Sequence, residues 1–382
     1  MTHPERYLEL ALRLGRHEPD IVDFYYGPPD LERRVADEPP LEPSRISADA
    51  ADLLAELDDR WLAAQVRALE TTARTLAGEE LPYAEEVELK YGIRPQWADE
   101  REFEHGHALL DEALPGSGEL AARFSRYLEG VALPSDLVGP ALSEAVALLR
   151  ERTREAVGLP EGEDVELDVV TGELWLGFAR YLGEFHTHIS LNTDLPFPAT
   201  ELVWFSAHEA YPGHHTHRAW QEADVVRAGG RIEATLGVLW SPDAVITEGI
   251  AQTAPPLVLD GAHEALAERL GPLGFEYDGE TGARVAAADE LLTPVWSNAA
   301  VLRHERGASR EEAWEYAAHW SLQPADRVDK FLEANVEDRR SRGYVHCYSQ
   351  GQRLCAAFVD GDPARLRRLM TALVVPSDLS SA

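Results

Sequence analysis

Apolar residues recur at intervals of three and four along most of the chain, as in helices that bury one face. Tyr7, Leu8, Ala11 and Leu12 make such a stripe over residues 4–15. The segment Asp23-Phe-Tyr-Tyr-Gly-Pro-Pro reads as an aromatic turn, packed against the second half of the chain or part of the core. After a linker from Pro39 to Ser47, Ser47 is placed to cap a long helix reaching about Thr75. Leu53, Leu54, Leu57, Trp61, Leu62 and Val66 line one side of it. Further helices are expected at 82–91, 99–113, 117–129 and 136–157, each closed by Gly or Pro. From Asp164 the period changes to two, with Val165, Leu167 and Val169 opposite Glu166 and Asp168. That is a strand, and Leu174 to Thr193 reads as the rest of a small antiparallel sheet.

Helical spacing then returns. Thr200 leads into a helix through His208, and 214–228 resumes it after a break. Ser241-Pro242 opens another, followed by helices at 262–270 and 281–306, the latter interrupted at Pro294. Ser309-Arg-Glu-Glu312 is a capping box, and helices over 324–339 and 343–373 complete the chain. The pattern predicts a mainly α fold in two lobes. Residues 1–160 form a helical lobe, and 161–382 carry the small sheet and the candidate chemistry, either as two lobes or as one continuous domain with a cleft.

Composition narrows the partners. The net charge is −33 over 382 residues, and Lys90 and Lys330 are the only lysines. Such a chain repels nucleic acid and anionic membrane. An acidic solvated surface is the simpler reading of this charge, although a preference for cationic substrates is compatible with it. No apolar run approaches the length of a membrane span, and Met1-Thr-His-Pro-Glu-Arg does not resemble a secretory leader, so the cytoplasm is expected. Cys347 and Cys355 are too few for a thiolate metal site or a disulfide framework and read as small core residues.

The densest chemistry lies in Phe205-Ser-Ala-His-Glu-Ala-Tyr-Pro-Gly-His-His-Thr-His217. A His-Glu pair followed shortly by another His is how helical zinc hydrolases supply two imidazoles and a general base. On a regular helix His214 would point about 120° away from His208, and His215 would lie roughly 10 Å further along the axis. Pro212 and Gly213 supply the remedy by breaking the helix and absorbing the extra residues. His214 is then the better placed second ligand, with His215 as the alternative or as a substrate contact. A third ligand is available in Glu248, mid-helix among Val245, Ile246, Ile250 and Ala251, where a buried carboxylate needs a partner. His186 and His188 share a strand face but have no third ligand near in sequence, and His105 and His107 face different sides of a helix.

The string His-Glu-Ala-Tyr-Pro-Gly-His-His, with Glu248-Gly249 some thirty residues on, resembles the domain-of-unknown-function 885 family, a branch of the helical metallopeptidases of gluzincin type. The likeness extends over 160–382, including Ser190-Leu-Asn-Thr-Asp-Leu-Pro and Tyr348-Ser-Gln-Gly351. Two departures are Ile250-Ala251, where the family usually has Trp-Ala, and Cys347-Tyr348, where smaller residues often precede its Tyr. The resemblance implies one zinc ion held by His208, His214 and Glu248, with Glu209 as catalytic base. It also implies that the strand around Ile189-Ser-Leu-Asn-Thr holds the substrate backbone by strand addition. Tyr348 is the first candidate to stabilise the developing oxyanion, with Tyr344, His346 and Arg353 behind it. Asn192, Arg353 and His215 are the candidate substrate contacts. A peptide or small amide is the expected substrate.

Rival chemistries find little to stand on. The chain has no Gly-x-Ser-x-Gly elbow, Walker loop or dinucleotide fingerprint. A helical di-metal carboxylate protein would need repeated Glu-x-x-His pairs, which Glu102-Phe-Glu-His does not supply. A non-catalytic relative that keeps the fold is the other alternative, and the intact His208, Glu209, His214 and Glu248 weigh against it.

Overall fold

Helix starts are fixed by local chemistry along the chain. At Thr2 and at Ser309 both arms of a capping box form, with Glu5 and Glu312 reaching back to the cap amides. The computed structural model describes residues 1–379 apart from Leu174, Arg340 and Ser341. Leu174, the first residue of the expected sheet segment, therefore lies outside the described residues.

The structure is mainly helical with a small three-stranded sheet and a two-stranded ribbon. The long helix expected from Ser47 to Thr75 is two helices, Pro43–Leu54 and Arg60–Leu76. Asp59 accepts from the Leu62 amide at 2.9 Å and restarts the helix, while Ser47 lies inside the first one. Local capping outweighs continuity of the apolar stripe here. The Pro294 interruption is real, separating Gly279–Glu290 from Val295–His304. Helical segments at 222–228 and 333–337 widen to π geometry. Among the described residues no helix is long and apolar enough to cross a membrane.

The described residues include five strands. They are β1 (Val22–Tyr25), β2 (Asp164–Val170), β3 (Gly177–Gly183), β4 (His186–Asn192) and β5 (Leu236–Val238). The three-stranded sheet has the order β2-β4-β3 and is mixed rather than antiparallel throughout. The β3–β4 hairpin is antiparallel, but β2 runs parallel to β4, from Asp164 opposite His186 to Val170 opposite Asn192. With β2 and β3 on either side of it, β4 takes the centre. The aromatic segment at 22–25 is a strand paired with β5, and Phe24 and Tyr26 pack on Tyr181 of β3. The segment before Trp240 thus acquires a strand that its sequence left undefined.

The apolar cores do not divide at residue 160. One joins Tyr7 to Leu128 with Leu236–Val245 and with Val285 to Val345. A second groups the helix Ser135–Ala156 with β4, the His-Glu helix Glu201–Glu209 and the helix Ala262–Leu270. The N-terminal helices and the C-terminal helices share one core across residue 160, the arrangement of one continuous domain with a cleft. Both cysteines are free and buried, as small core residues.

Candidate metal centre

Glu201–Glu209 ends abruptly, and a second helix, His214–Gln221, begins five residues later. Pro212 and Gly213 fill the break, with the Tyr211–Pro212 peptide cis. The amide of Gly213 donates to the Ala207 carbonyl at 2.9 Å, folding the chain back on the helix it has left. A Cβ on Gly213 would overlap the His208 carbonyl oxygen, so this approach needs glycine.

The turn brings three side chains together. His208 Nε2 lies 3.1 Å from His214 Nε2 and 3.3 Å from Glu248 Oε2, and His214 Nε2 lies 3.7 Å from Glu248 Oε1. Donors each about 2.0–2.1 Å from a tetrahedral ion sit about 3.3 Å apart, so these separations match one face of a tetrahedron. Among the described residues these three form the only group of three or more His, Cys, Asp or Glu side chains with such spacing. Glu248 is 4% exposed, and its Oε2 has no hydrogen-bond partner despite being buried. A buried, unsatisfied carboxylate oxygen facing two imidazole nitrogens fits a divalent cation.

Glu248 is carried in by the helix Pro242–Thr253, which lies against the helix Val345–Val359 at Gly249 and Gly351. A Cβ on either glycine would overlap backbone of the other helix, and this contact sets Glu248 beside Tyr344 and Tyr348. Ser241 precedes that helix, with Pro242 at its first position, but its hydroxyl donates to the Val238 carbonyl and caps nothing. Tyr344 donates a very short hydrogen bond to Glu248 Oε1. Trp204 stacks on the His208 ring with centroids 4.9 Å apart. The far nitrogen of His208, Nδ1, has no partner among the described residues, so stacking does the orienting that a carboxylate or carbonyl often does.

Electrostatics sort the groups. Burial pushes His214 down to about 3, with Glu248 opposing, so its imidazole is neutral as a ligand must be. Burial also pulls on His208, but the adjacent Glu248 carboxylate and the charge of Glu209 prevail and raise it. Burial would raise Glu248, yet the two imidazoles and Tyr344 hold it below the usual carboxylate range. Glu209 is different. Burial pushes it up to about 7, against the pull of His208 and with Glu248 and Asp23 adding to the rise.

All of these open onto a cavity of 1040 Å³ that also holds Tyr348, the edge strand β3, and aromatic walls including Trp204 and Trp296. Gly177 begins β3 so close to the motif helix that a Cβ there would lie 3.1 Å from Glu209 Oε1. The strand beside these candidate groups is thus β3. The expected strand, β4, is flanked on both sides by neighbours and has no free edge.

Three expected substrate contacts are placed otherwise. His215 is fully buried and faces away from the cavity, bonded to Thr187 Oγ1 at 2.7 Å and Glu163 Oε2 at 3.1 Å. Glu163 in turn takes Tyr211 at 2.5 Å, Arg150 at 2.9 Å and Arg154 at 3.0 Å. This network clamps both sides of the Pro212-Gly213 turn to the helix Ser135–Ala156. Arg353 is exposed and donates to Gln96, away from the cavity. Asn192 lines the cavity, but its amide donates to the carbonyls of Glu173 and Trp175 and its oxygen accepts from Asp194, so it secures the crossover into β3. Of the reserve candidates behind Tyr348, His346 is buried against Tyr83 and Tyr344 serves Glu248. Tyr348 faces the cavity, its ring 6.3 Å from that of His208. The histidines of β4 hold no metal group among the described residues.

No protein-family model matches the chain, and no curated protein matches it in sequence. Its fold is similar to two solved structures. One is a candidate lipoprotein from Colwellia psychrerythraea, with a TM-score of 0.56 and 17% identity over 88% of this chain and 65% of the other. The second is a candidate lipoprotein of unknown function from Shewanella oneidensis, with a TM-score of 0.50 and 12% identity over 97% of this chain and 73% of the other. This chain spans about two thirds of the length of the Colwellia protein. At these identities the likeness establishes a shared fold.

Proposed function

We propose that the chain is a single-zinc hydrolase of peptide or related amide bonds, built on a helical metallopeptidase architecture. The observation that carries this reading is the triangle of His208, His214 and Glu248 with Glu209 beside it in one cavity. The resemblance of the motif to gluzincin-type peptidases supports the same assignment. A divalent cation held by the three side chains would supply Lewis acidity, acidifying water and polarising the substrate carbonyl.

The remaining roles belong to the chain. Glu209, lifted to about 7, is suited to take a proton from the attacking water and return it to the leaving amine. Tyr348 is the hydrogen-bond donor for the carbonyl oxygen as negative charge develops there. Tyr344 holds Glu248 in its ligand orientation. The free edge of β3 lies where it can pair with an extended substrate and carry its backbone past Glu209.

The test is hydrolysis of a peptide library by zinc-supplemented protein, with and without a chelator. Cleavage that disappears on chelation and returns with zinc supports the reading. Chelator-resistant cleavage, or none with any peptide, overturns it. The cytoplasmic placement expected from the sequence is proposed alongside and is checked by cell fractionation.

A further inference from the structure

Asp23 is a carboxylate that the proposed mechanism does not use. It sits at an irregularity in the β1–β5 ribbon: Val22 pairs with Val238 and Phe24 with Gly237, so Asp23 is the extra residue of a bulge. Bulges re-aim side chains and are common beside active sites. Here the bulge sends Asp23 into the cavity that holds Glu209 and Glu248. Its neighbours fix it there. Phe24 packs on Tyr181, and the Arg218 guanidinium lies 4.8 Å from the Phe24 ring centre.

Asp23 is half-buried, yet among the described residues no hydrogen bond or ion pair reaches its carboxylate. The cations nearby are otherwise placed. Arg218 donates to Gln221, Asp243 and Thr247. Arg180 is exposed on β3 over the Phe178 ring. Around the whole cavity nine carboxylates face four cationic side chains, which leaves it acidic even after a divalent ion is added. Three of those four cations, Arg218, Arg327 and Lys330, are already in ion pairs. A partly desolvated carboxylate without a partner is costly unless a cation joins it. Among the described residues no cation bonds to it, and Arg218 and Arg180 act on it only through space.

We infer that Asp23 is a specificity-determining residue that binds a cationic group of the substrate close to the scissile bond. The inference rests on the hydrolase reading and names its substrate class: peptides with a positive charge beside the bond that is cut. The cation is either the α-ammonium of a first residue or a lysine or arginine side chain, and both offer the same N–H donors to the carboxylate.

The experiment compares kcat/KM for a neutral tripeptide amide with a free or an acetylated amino terminus, and for an acetylated peptide with Lys or norleucine beside the cut. The wild type should prefer the cationic member of at least one pair by about tenfold or more, the discrimination expected of a charged hydrogen bond. The first pair reports an α-ammonium and the second a side chain. In Asp23→Asn that ratio should fall to about one, and in Asp23→Glu, which keeps the charge, it should persist. No preference in the wild type, or a preference unchanged in Asp23→Asn, overturns the inference. Calorimetric binding of the same peptides to Glu209→Gln, with and without Asp23→Asn, decides the role of Asp23 independently of turnover. A wild type that cleaves nothing while Glu209→Gln binds the cationic peptides through Asp23 contradicts the hydrolase reading and leaves this one standing. Cation-independent binding in that assay contradicts it.

Discussion

Replacing Glu163 tests whether a network behind the proposed metal centre holds the turn that shapes it. Glu163 is 2% exposed and receives hydrogen bonds from Tyr211, His215, Arg150 and Arg154. Burial alone would raise its pKa, but His215, Tyr211 and Arg150 outweigh it and hold the carboxyl at about 2 against an ordinary 4.5. That difference corresponds to about 3 kcal/mol of folding stability. Removing one partner from a buried charge pair costs about 3–5 kcal/mol, and the partly exposed Arg150 and Arg154 place Glu163→Ala near the lower end. The two routes agree. Because the folded value is depressed, the contribution is fully present above about pH 4.5 and is lost as the pH falls towards 2. Urea denaturation at pH 7 should therefore show Glu163→Ala destabilised by about 3 kcal/mol, with the gap to the wild type closing below pH 4. Zinc affinity should fall about 10- to 100-fold, as when an orienting partner of a ligand is removed. A loss below 1 kcal/mol at pH 7, with unchanged zinc affinity, would refute the clamp.

Other substitutions separate the roles of neighbouring groups. Glu209→Gln should keep zinc binding and lower kcat by about 10²- to 10⁴-fold, measured by steady-state hydrolysis beside metal analysis. Gly213→Ala should abolish tight zinc binding, because the added methyl overlaps the His208 carbonyl; competition with a chromogenic chelator reports this. Tyr344→Phe should weaken zinc by about tenfold through Glu248, whereas Tyr348→Phe should leave zinc affinity intact and lower kcat.

The convergence of His208 and His214 beside Glu209 was legible because its determinants are local. Two donors, a carboxylate and two helix breakers stand within ten residues, and Pro212 with Gly213 could do only one thing to a helix. Glu248 was legible from its apolar neighbours, since a carboxylate in that setting must find a partner. The supporting groups were not. In a chain with 68 acidic residues, nothing in the sequence around Glu163 or Asp23 distinguishes them from solvated carboxylates. Their significance arises from long-range packing, of the helix Ser135–Ala156 against the turn and of β1 against β5. His215 reads as a reactive histidine by its position and becomes a structural one because Thr187 and Glu163 meet it from distant segments. The same limit explains the sheet. Alternation reveals strands, but the parallel pairing of β2 with β4 depends on a crossover whose path no periodicity encodes.

Metal content under near-physiological conditions bears most directly on the whole account. Protein purified and then dialysed against dilute zinc should retain close to one zinc ion per chain by elemental analysis. His208→Ala, His214→Ala and Glu248→Ala should each retain far less, with folding preserved by circular dichroism, whereas His215→Ala should not remove a ligand. No retained zinc in the wild type, or retention unaffected by the three ligand substitutions, would contradict the proposed centre and the chemistry assigned to it.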